Sequence, residues 1–152
     1  MNWTNKYNLP DPLWNALRKS DYKKTSKYSV TQLLKSPRQV ILEERYSDKI
    51  EADVSDALWR FIGSAIHDFL RKGETENDLV ETRLKYKDVS GQLDFYEGSY
   101  YCIDDFKITS MWTVVYKSQY EEWQKQLSIY AALLIYNGFE VKQIRNIVIM
   151  RD

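Results

Sequence analysis

VETRLKYKDVSGQLDFYEGSYYCIDDFKI, residues 80–108, carries the pattern of three successive strands. Val80, Thr82, Leu84 and Tyr86 alternate with Glu81, Arg83 and Lys85, the period-two signature of a half-buried strand. Asp88–Gly91 reads as a turn and Gln92–Tyr96 as the second strand. Glu97-Gly98-Ser99 is a tight hairpin connection, and Tyr100–Ile108 is the third strand. Connections this short make the three an antiparallel meander.

The flanks read as helices. Before the meander, residues from about Ser55 to Arg71 place Leu58, Phe61, Ile62, Ala65, Ile66 and Phe69 on one broad stripe, and Gly73 ends the helix. At about 100° per residue, His67 falls on nearly the opposite side from that stripe. A core histidine would lie inside the stripe, so His67 is either merely exposed or committed to a site. After the meander, Tyr116, Tyr120, Trp123, Leu127, Tyr130 and Leu134 form the seam of a helix over Tyr116–Tyr136, stopped by Asn137-Gly138. Ile147-Val148-Ile149-Met150 then reads as a strand buried on both faces. Strand, helix, strand in that order favours a right-handed crossover and parallel pairing. The expected fold is α/β, an αβββαβ core with a mixed sheet flanked by helices.

Upstream, Ser29-Val30-Thr31 can cap a short helix through Leu33 and Leu34, and Pro37 can open the next, towards Tyr46. Residues 1–28 read as an N-terminal arm or a short helix around Trp14–Arg18, preceding a domain over 29–152.

The formal net charge is zero, yet it is unevenly spread. Residues 1–45 hold nine Lys/Arg against four Asp/Glu; the remainder holds thirteen against eighteen. A basic N-terminal part suits a phosphate backbone and an acidic remainder suits divalent cations, although a solvated surface with chance clustering has the same composition. Cys102 is the single cysteine, which excludes an intramolecular disulfide, a four-cysteine zinc site and an iron–sulfur cluster held by four cysteines of this chain. No apolar run reaches about 18–20 residues and no signal-peptide pattern opens the chain, so no membrane partner and a cytoplasmic location are expected.

Chemistry concentrates on the second hairpin. Asp105 and Lys107 share one face of their strand, while Asp104, Phe106 and Ile108 share the other. Asp94 lies on the partner strand and can approach Asp105 if the two share a face. Carboxylates this close repel unless a cation lies between them, and hard oxygen ligands suit Mg²⁺ or Mn²⁺. Such an ion can polarise a phosphodiester and lower the pKa of a bound water. Lys107 can orient that water or stabilise the phosphate. A surface ion pair on a strand has the same D-x-K spacing, and a turn aspartate the same place as Asp94.

Several short motifs, in order, resemble the PD-(D/E)XK nuclease superfamily, in particular its RecB-like exonuclease branch. Ser29-Val30-Thr31-Gln32-Leu33 with Ser36-Pro37-Arg38 resembles that branch's N-terminal helical motif. Gly63-Ser64-Ala65-Ile66-His67 resembles its G-x-x-x-H helix, and Glu81 stands where a glutamate often opens the first strand. Gly91-Gln92-Leu93-Asp94 is similar to G-x-x-D, Asp105-Phe106-Lys107 to D/E-x-K, and Gln126-Leu127-Ser128-Ile129-Tyr130 to Q-x-x-x-Y. The resemblance covers about residues 29–151 and implies a restriction-endonuclease-like fold. It implies His67, Asp94 and Asp105 as metal ligands, with the Phe106 carbonyl as a further one. Lys107 would be catalytic, with Glu81 and Gln126 in the catalytic group and Tyr130 helping to contact DNA.

The same resemblance implies a Mg²⁺- or Mn²⁺-dependent deoxyribonuclease, an exonuclease on single-stranded DNA or DNA ends in recombination, repair or phage DNA processing. A recombination or replication protein would be its partner, in a bacterial or phage-infected cell. Some members hold an iron–sulfur cluster through a cysteine beside the Pro-Arg motif; Ser36 occupies that position, so no cluster is expected. The family commonly continues past the last strand, so a chain ending at Asp152 is expected to be a shortened or very compact member. Lys35 and Arg38, with Lys19, Lys23, Lys24 and Lys27, would form a basic wall along the strand, and Trp14, Tyr22 and Tyr28 offer stacking surfaces. The competing expectation is a nuclease-fold module that binds DNA or protein without cutting.

Overall fold

The computed structural model describes residues 2–18 and 25–151, and in it the chain is mixed α/β. In chain order the first elements are β1 (Asn2–Thr4), α1 (Asp11–Arg18), β2 (Tyr28–Ser29), α2 (Val30–Leu34), α3 (Pro37–Arg45) and β3 (Glu51–Asp53). A 3-10 turn at Val54–Ala57 leads into α4 (Leu58–Leu70). Next come β4 (Leu79–Val80), β5 (Arg83–Tyr86), β6 (Val89–Gln92), β7 (Phe95–Glu97) and β8 (Cys102–Thr109). The last are α5 (Met111–Tyr116), α6 (Tyr120–Tyr136) and β9 (Gln143–Met150). Two compact units result, one within Met1–Lys23 and Lys35–Ile66, the other within Lys24–Leu34 and His67–Asp152.

That division differs from the expected boundary at residue 28; of the two expectations for the N-terminal segment the short helix is present, as α1, and a strand, β1, precedes it. β1 pairs in parallel with β3. Asp53 ties them together: its carboxylate accepts from Thr4 Oγ1 and Lys6 N at 2.9 Å and from the Ser55 N–H and hydroxyl. A small core of Leu17, Val54 and Ala57, with Trp3, Leu13 and Trp14 packed against it, completes this unit. Trp14, expected as a stacking surface, is therefore packed against a core.

In the second unit the meander is present but bent. Lys87 takes a left-handed conformation (φ 52°), so the first turn is Lys87-Asp88 and Val89–Gln92 is strand. The expected turn at Asp88–Gly91 is displaced because Gly91 sits inside the core: a Cβ there would meet Val30 Cγ2 at 2.5 Å and Tyr130 Cε1 at 2.6 Å. Gly91→Ala should cost about 1–3 kcal/mol through overpacking. The check is a urea midpoint, and an unchanged midpoint would mean that Val30 and Tyr130 yield freely.

β5 and β6 form one sheet with β2, and β4, β7, β8 and β9 form another in that order. The bend between the sheets falls at Glu81 and Thr82, with Glu81 at φ 48°. The Glu81 N–H donates to the Asp94 carbonyl and the Leu93 N–H to the Thr82 carbonyl, at 3.0 and 3.1 Å. Val80 pairs with Phe95 and Arg83 with Gln92, so the register crosses the bend with no residue inserted. β8 and β9 pair in parallel over eight residues, as the crossover rule requires.

The helix after the meander is two helices. Ser110 caps α5 by accepting from the Trp112 N–H, and Lys117 at φ 53° ends it before α6 begins. Tyr116 therefore lies outside the seam, while Trp123, Leu127, Tyr130, Leu133 and Leu134 are buried against Val30, Leu84, Leu93, Tyr96 and Ile103. Ser29 and Gln32 cap α2 reciprocally: Ser29 Oγ accepts from the Gln32 N–H and Gln32 Oε1 from the Ser29 N–H.

Two burial expectations are corrected. β9 is the sheet edge rather than a strand buried on both faces, and Ile144, Ile149 and Met150 are exposed. On α4 the expected core stripe is only partly buried: Leu58 packs against the Leu17, Val54 and Ala57 core and Ile66 is part-buried, but Phe61 and Ile62 are exposed and Phe69 is 68% exposed, whereas His67 is half-buried. Among the described residues, no helix is long and apolar enough to cross a membrane.

Candidate active site

The register places acidic residues side by side. Glu81 opposes Asp94 at the bend, and Phe95 pairs with Asp104, so Asp94 lies beside Asp105. One carboxylate from each strand of the meander thus forms a row. The left-handed backbone at Glu81, a conformation costing a non-glycine residue about 1–3 kcal/mol, ends β4 there, and the side chain reaches His67 from this position.

His67 sits in the last turn of α4. Its Nδ1 lies 2.5 Å from Glu81 Oε1 and its Nε2 lies 3.5 Å from Asp94 Oδ2. Ligand atoms of His67, Glu81 and Asp94 all fall within 4.8 Å of one another, a set that could hold a metal ion. Asp94 Oδ2 also accepts from the Phe106 N–H at 2.9 Å. Glu81 is held from behind, since Gln92 Nε2 donates to its Oε2 and Arg83 donates to Gln92 Oε1.

Asp105 is 2% exposed. Lys107 Nζ lies 2.7 Å from its Oδ2 as a charge partner, out of hydrogen-bond alignment, so Oδ2 is buried without a hydrogen bond. The same ammonium donates to Gln126 Oε1 at 2.8 Å. Gln126 in turn bonds the Tyr130 hydroxyl, whose pKa burial pushes up to about 12.

The electrostatics reflect surplus negative charge. Burial, reinforced by Asp105, pushes Asp94 up to about 6 against the pull of His67, the Phe106 N–H and Lys107. The bond to Glu81 raises the His67 imidazole above its ordinary value in spite of burial, with Asp94 and Asp105 adding to it. Burial also pushes Glu81 up, but His67, Gln92 and Arg71 outweigh it and hold this carboxyl below its ordinary value. The cluster gathers protons on His67 and Asp94. A cation answers the same need, and an imidazole with carboxylates is a fitting donor set for a divalent one.

The expected site residues therefore fall into groups. His67, Glu81 and Asp94 form the cluster; Asp105, Lys107 and Gln126 form the adjoining pair and its support. Phe106 contributes its N–H to Asp94 and its ring lies 6.3 Å from that of His67. Tyr130, expected at the DNA, is buried against Gly91. Lys35 and Arg38 belong to the other unit, where Lys35 pairs with Glu43 at 2.7 Å and Arg38 is exposed. Lys19, Tyr22, Lys23 and Lys24 lie outside the described residues.

Asp104 separates cleanly from Asp105. It faces the other side of the sheet, where Arg145 grips it twice, at 2.6 and 2.7 Å. Two contributors escaped the sequence reading: Arg83 and Gln92. Gln92 carried a signal, because it lies two residues from Asp94 inside the G-x-x-D motif. No protein-family model, curated protein or solved structure matches the chain.

Proposed function

We propose that the chain is a metal-dependent deoxyribonuclease of the PD-(D/E)XK type, hydrolysing phosphodiester bonds in single-stranded DNA or at DNA ends. The observation that carries this reading is the row Glu81, Asp94 and Asp105, with Lys107 beside its last member and His67 at its other end. The order α4, bent meander, α6, β9 fits the αβββαβ core of restriction-endonuclease-like folds.

Mg²⁺ or Mn²⁺ is the cation that this oxygen-rich set favours, and His67, Glu81 and Asp94 would hold it with Asp105 adjoining. When bound, such an ion polarises the phosphodiester and lowers the pKa of water. The residues do the remaining work. Lys107 offers an ammonium to the attacking water or to the negative charge that develops on phosphorus-bound oxygen. Gln126 is a positioning residue that holds the Lys107 amine through its carbonyl oxygen. The Phe106 N–H and His67 fix the Asp94 carboxylate between them.

A single strand is favoured by the surface that follows β8. Trp112 and Tyr116 stack on each other at 5.8 Å yet remain 57% and 72% exposed, an aromatic face open to unpaired bases. The test is cleavage of end-labelled single- and double-stranded DNA with Mn²⁺, Mg²⁺ or EDTA. Cutting is expected only with metal, and faster on single strands. DNA binding without cutting under every condition would replace this reading with that of a binding module.

A further inference from the structure

We propose that Asn146 belongs to the cation site, its side-chain oxygen acting with Asp105 as a ligand for the divalent ion. The inference rests on the metal-dependent reading above and extends it to a strand outside the meander.

Asn146 is the register partner of Asp105 in the parallel ladder of β8 and β9. Their preceding residues, Asp104 and Arg145, are also partners and hydrogen-bond each other on one face of the sheet. Side chains alternate along a strand, so Asp105 and Asn146 both project from the opposite face. Asn146 therefore continues the row Glu81, Asp94, Asp105 onto a fourth strand.

The polar atoms of these two residues share an unusual condition. Among the described residues, the buried side-chain nitrogens or oxygens without a hydrogen bond are Asp105 Oδ2 and Asn146 Oδ1. Burying an unmet acceptor costs about 1–3 kcal/mol; the Lys107 ammonium compensates Asp105 Oδ2, and Asn146 Oδ1, beside it in the row, is left with nothing. Both are oxygens and neither can donate. A hard cation accepts lone pairs from a carboxylate and an amide oxygen together, which is the mixture Mg²⁺ and Mn²⁺ sites draw on.

The alternative chemistry is an amide turned about its final bond, so that its NH₂ donates to Asp105 and Asn146 merely positions that carboxylate. Two substitutions separate the roles. Asn146→Asp keeps an oxygen there and adds charge, whereas Asn146→Leu keeps bulk and removes the oxygen.

Mn²⁺ is titrated calorimetrically into the full chain and both variants, with a melting curve in EDTA for each. Asn146→Leu is expected to bind Mn²⁺ more weakly by at least roughly 10-fold, the smallest loss expected even for a residue one step behind a metal ligand. Asn146→Asp should bind at least as tightly as wild type. Wild-type affinity in Asn146→Leu overturns the proposal, as does Asn146→Asp falling below wild type, since that marks the NH₂ as the needed group. Should Asn146→Leu fail to fold, the affinity of Asn146→Asp decides alone. A wild type that binds no Mn²⁺ removes the metal-dependent reading and this inference with it; a wild type that binds while Asn146→Leu matches it removes Asn146 only.

Discussion

Asp94→Asn will melt at a higher temperature than the wild type in the absence of metal and, on the nuclease reading proposed above, it will not cleave DNA. In the folded chain the Asp94 carboxyl is pushed up to about 6 from an ordinary 3.8. The folded state therefore holds this proton more tightly than the unfolded state does. The stabilisation this proton confers is complete below about 3.8 and is lost as pH rises through about 6. Above that, an ionised Asp94 costs the fold on the order of 3 kcal/mol. Asparagine keeps the shape, and its oxygen can still accept from the Phe106 N–H. A gain of roughly 5–10 °C at pH 8 follows for a chain of this size. The gap between variant and wild type should close as pH falls from 6 towards 4. Added Mn²⁺ should stabilise wild type and leave the variant nearly unmoved. A variant that melts lower than wild type at pH 8 would show that burial, with Asp105 beside it, does not raise Asp94.

Lys107→Met will have the opposite effect on stability and the same effect on activity. Asp105 is almost wholly buried, and Lys107 Nζ at 2.7 Å is its charge partner. Removing one member of a buried pair typically costs about 3–5 kcal/mol, because the other charge is left in a poor solvent. Cleavage should fall by about 100–1,000-fold, the usual loss when a group stabilising transition-state charge is removed. The double variant with Asp105→Asn should recover most of the stability and none of the activity. Urea denaturation of the four proteins gives the coupling energy directly. A single variant as stable as wild type would mean that Asp105 does not depend on Lys107 as its charge partner.

Strand parity made much of this site legible. Alternation alone separates Asp105 from Asp104, and the structure gives the first to Lys107 and the second to Arg145. Glu81 was harder to place by pattern, because its left-handed backbone breaks the alternation with no glycine to announce it. Lys117 hides the break between α5 and α6 in the same way. The apolar stripe of α4 misled the reading, since a hydrophobic face predicts burial and Phe61, Ile62 and Phe69 are exposed. Asn146 was invisible for a different reason. Its neighbour is set by the register of a parallel pair across the α6 crossover, and no turn between the strands encodes it.

The unbroken register through the bend carries a consequence for how such a chain tolerates change in length. Each strand of the meander gives one residue to the row only because the connections at Lys87-Asp88 and Gly98–Tyr101 keep odd and even positions in step. A single residue added to the second connection and absorbed as a slip of β8 would exchange its two faces. Asp104 would enter the row, and Asp105 with Lys107 would pass to the far side of the sheet. Two added residues, looped out, would leave both faces as they are. Insertions there should therefore be survivable in pairs and ruinous singly, a rule that screening a library of lengthened turns for cleavage would read out as an alternation.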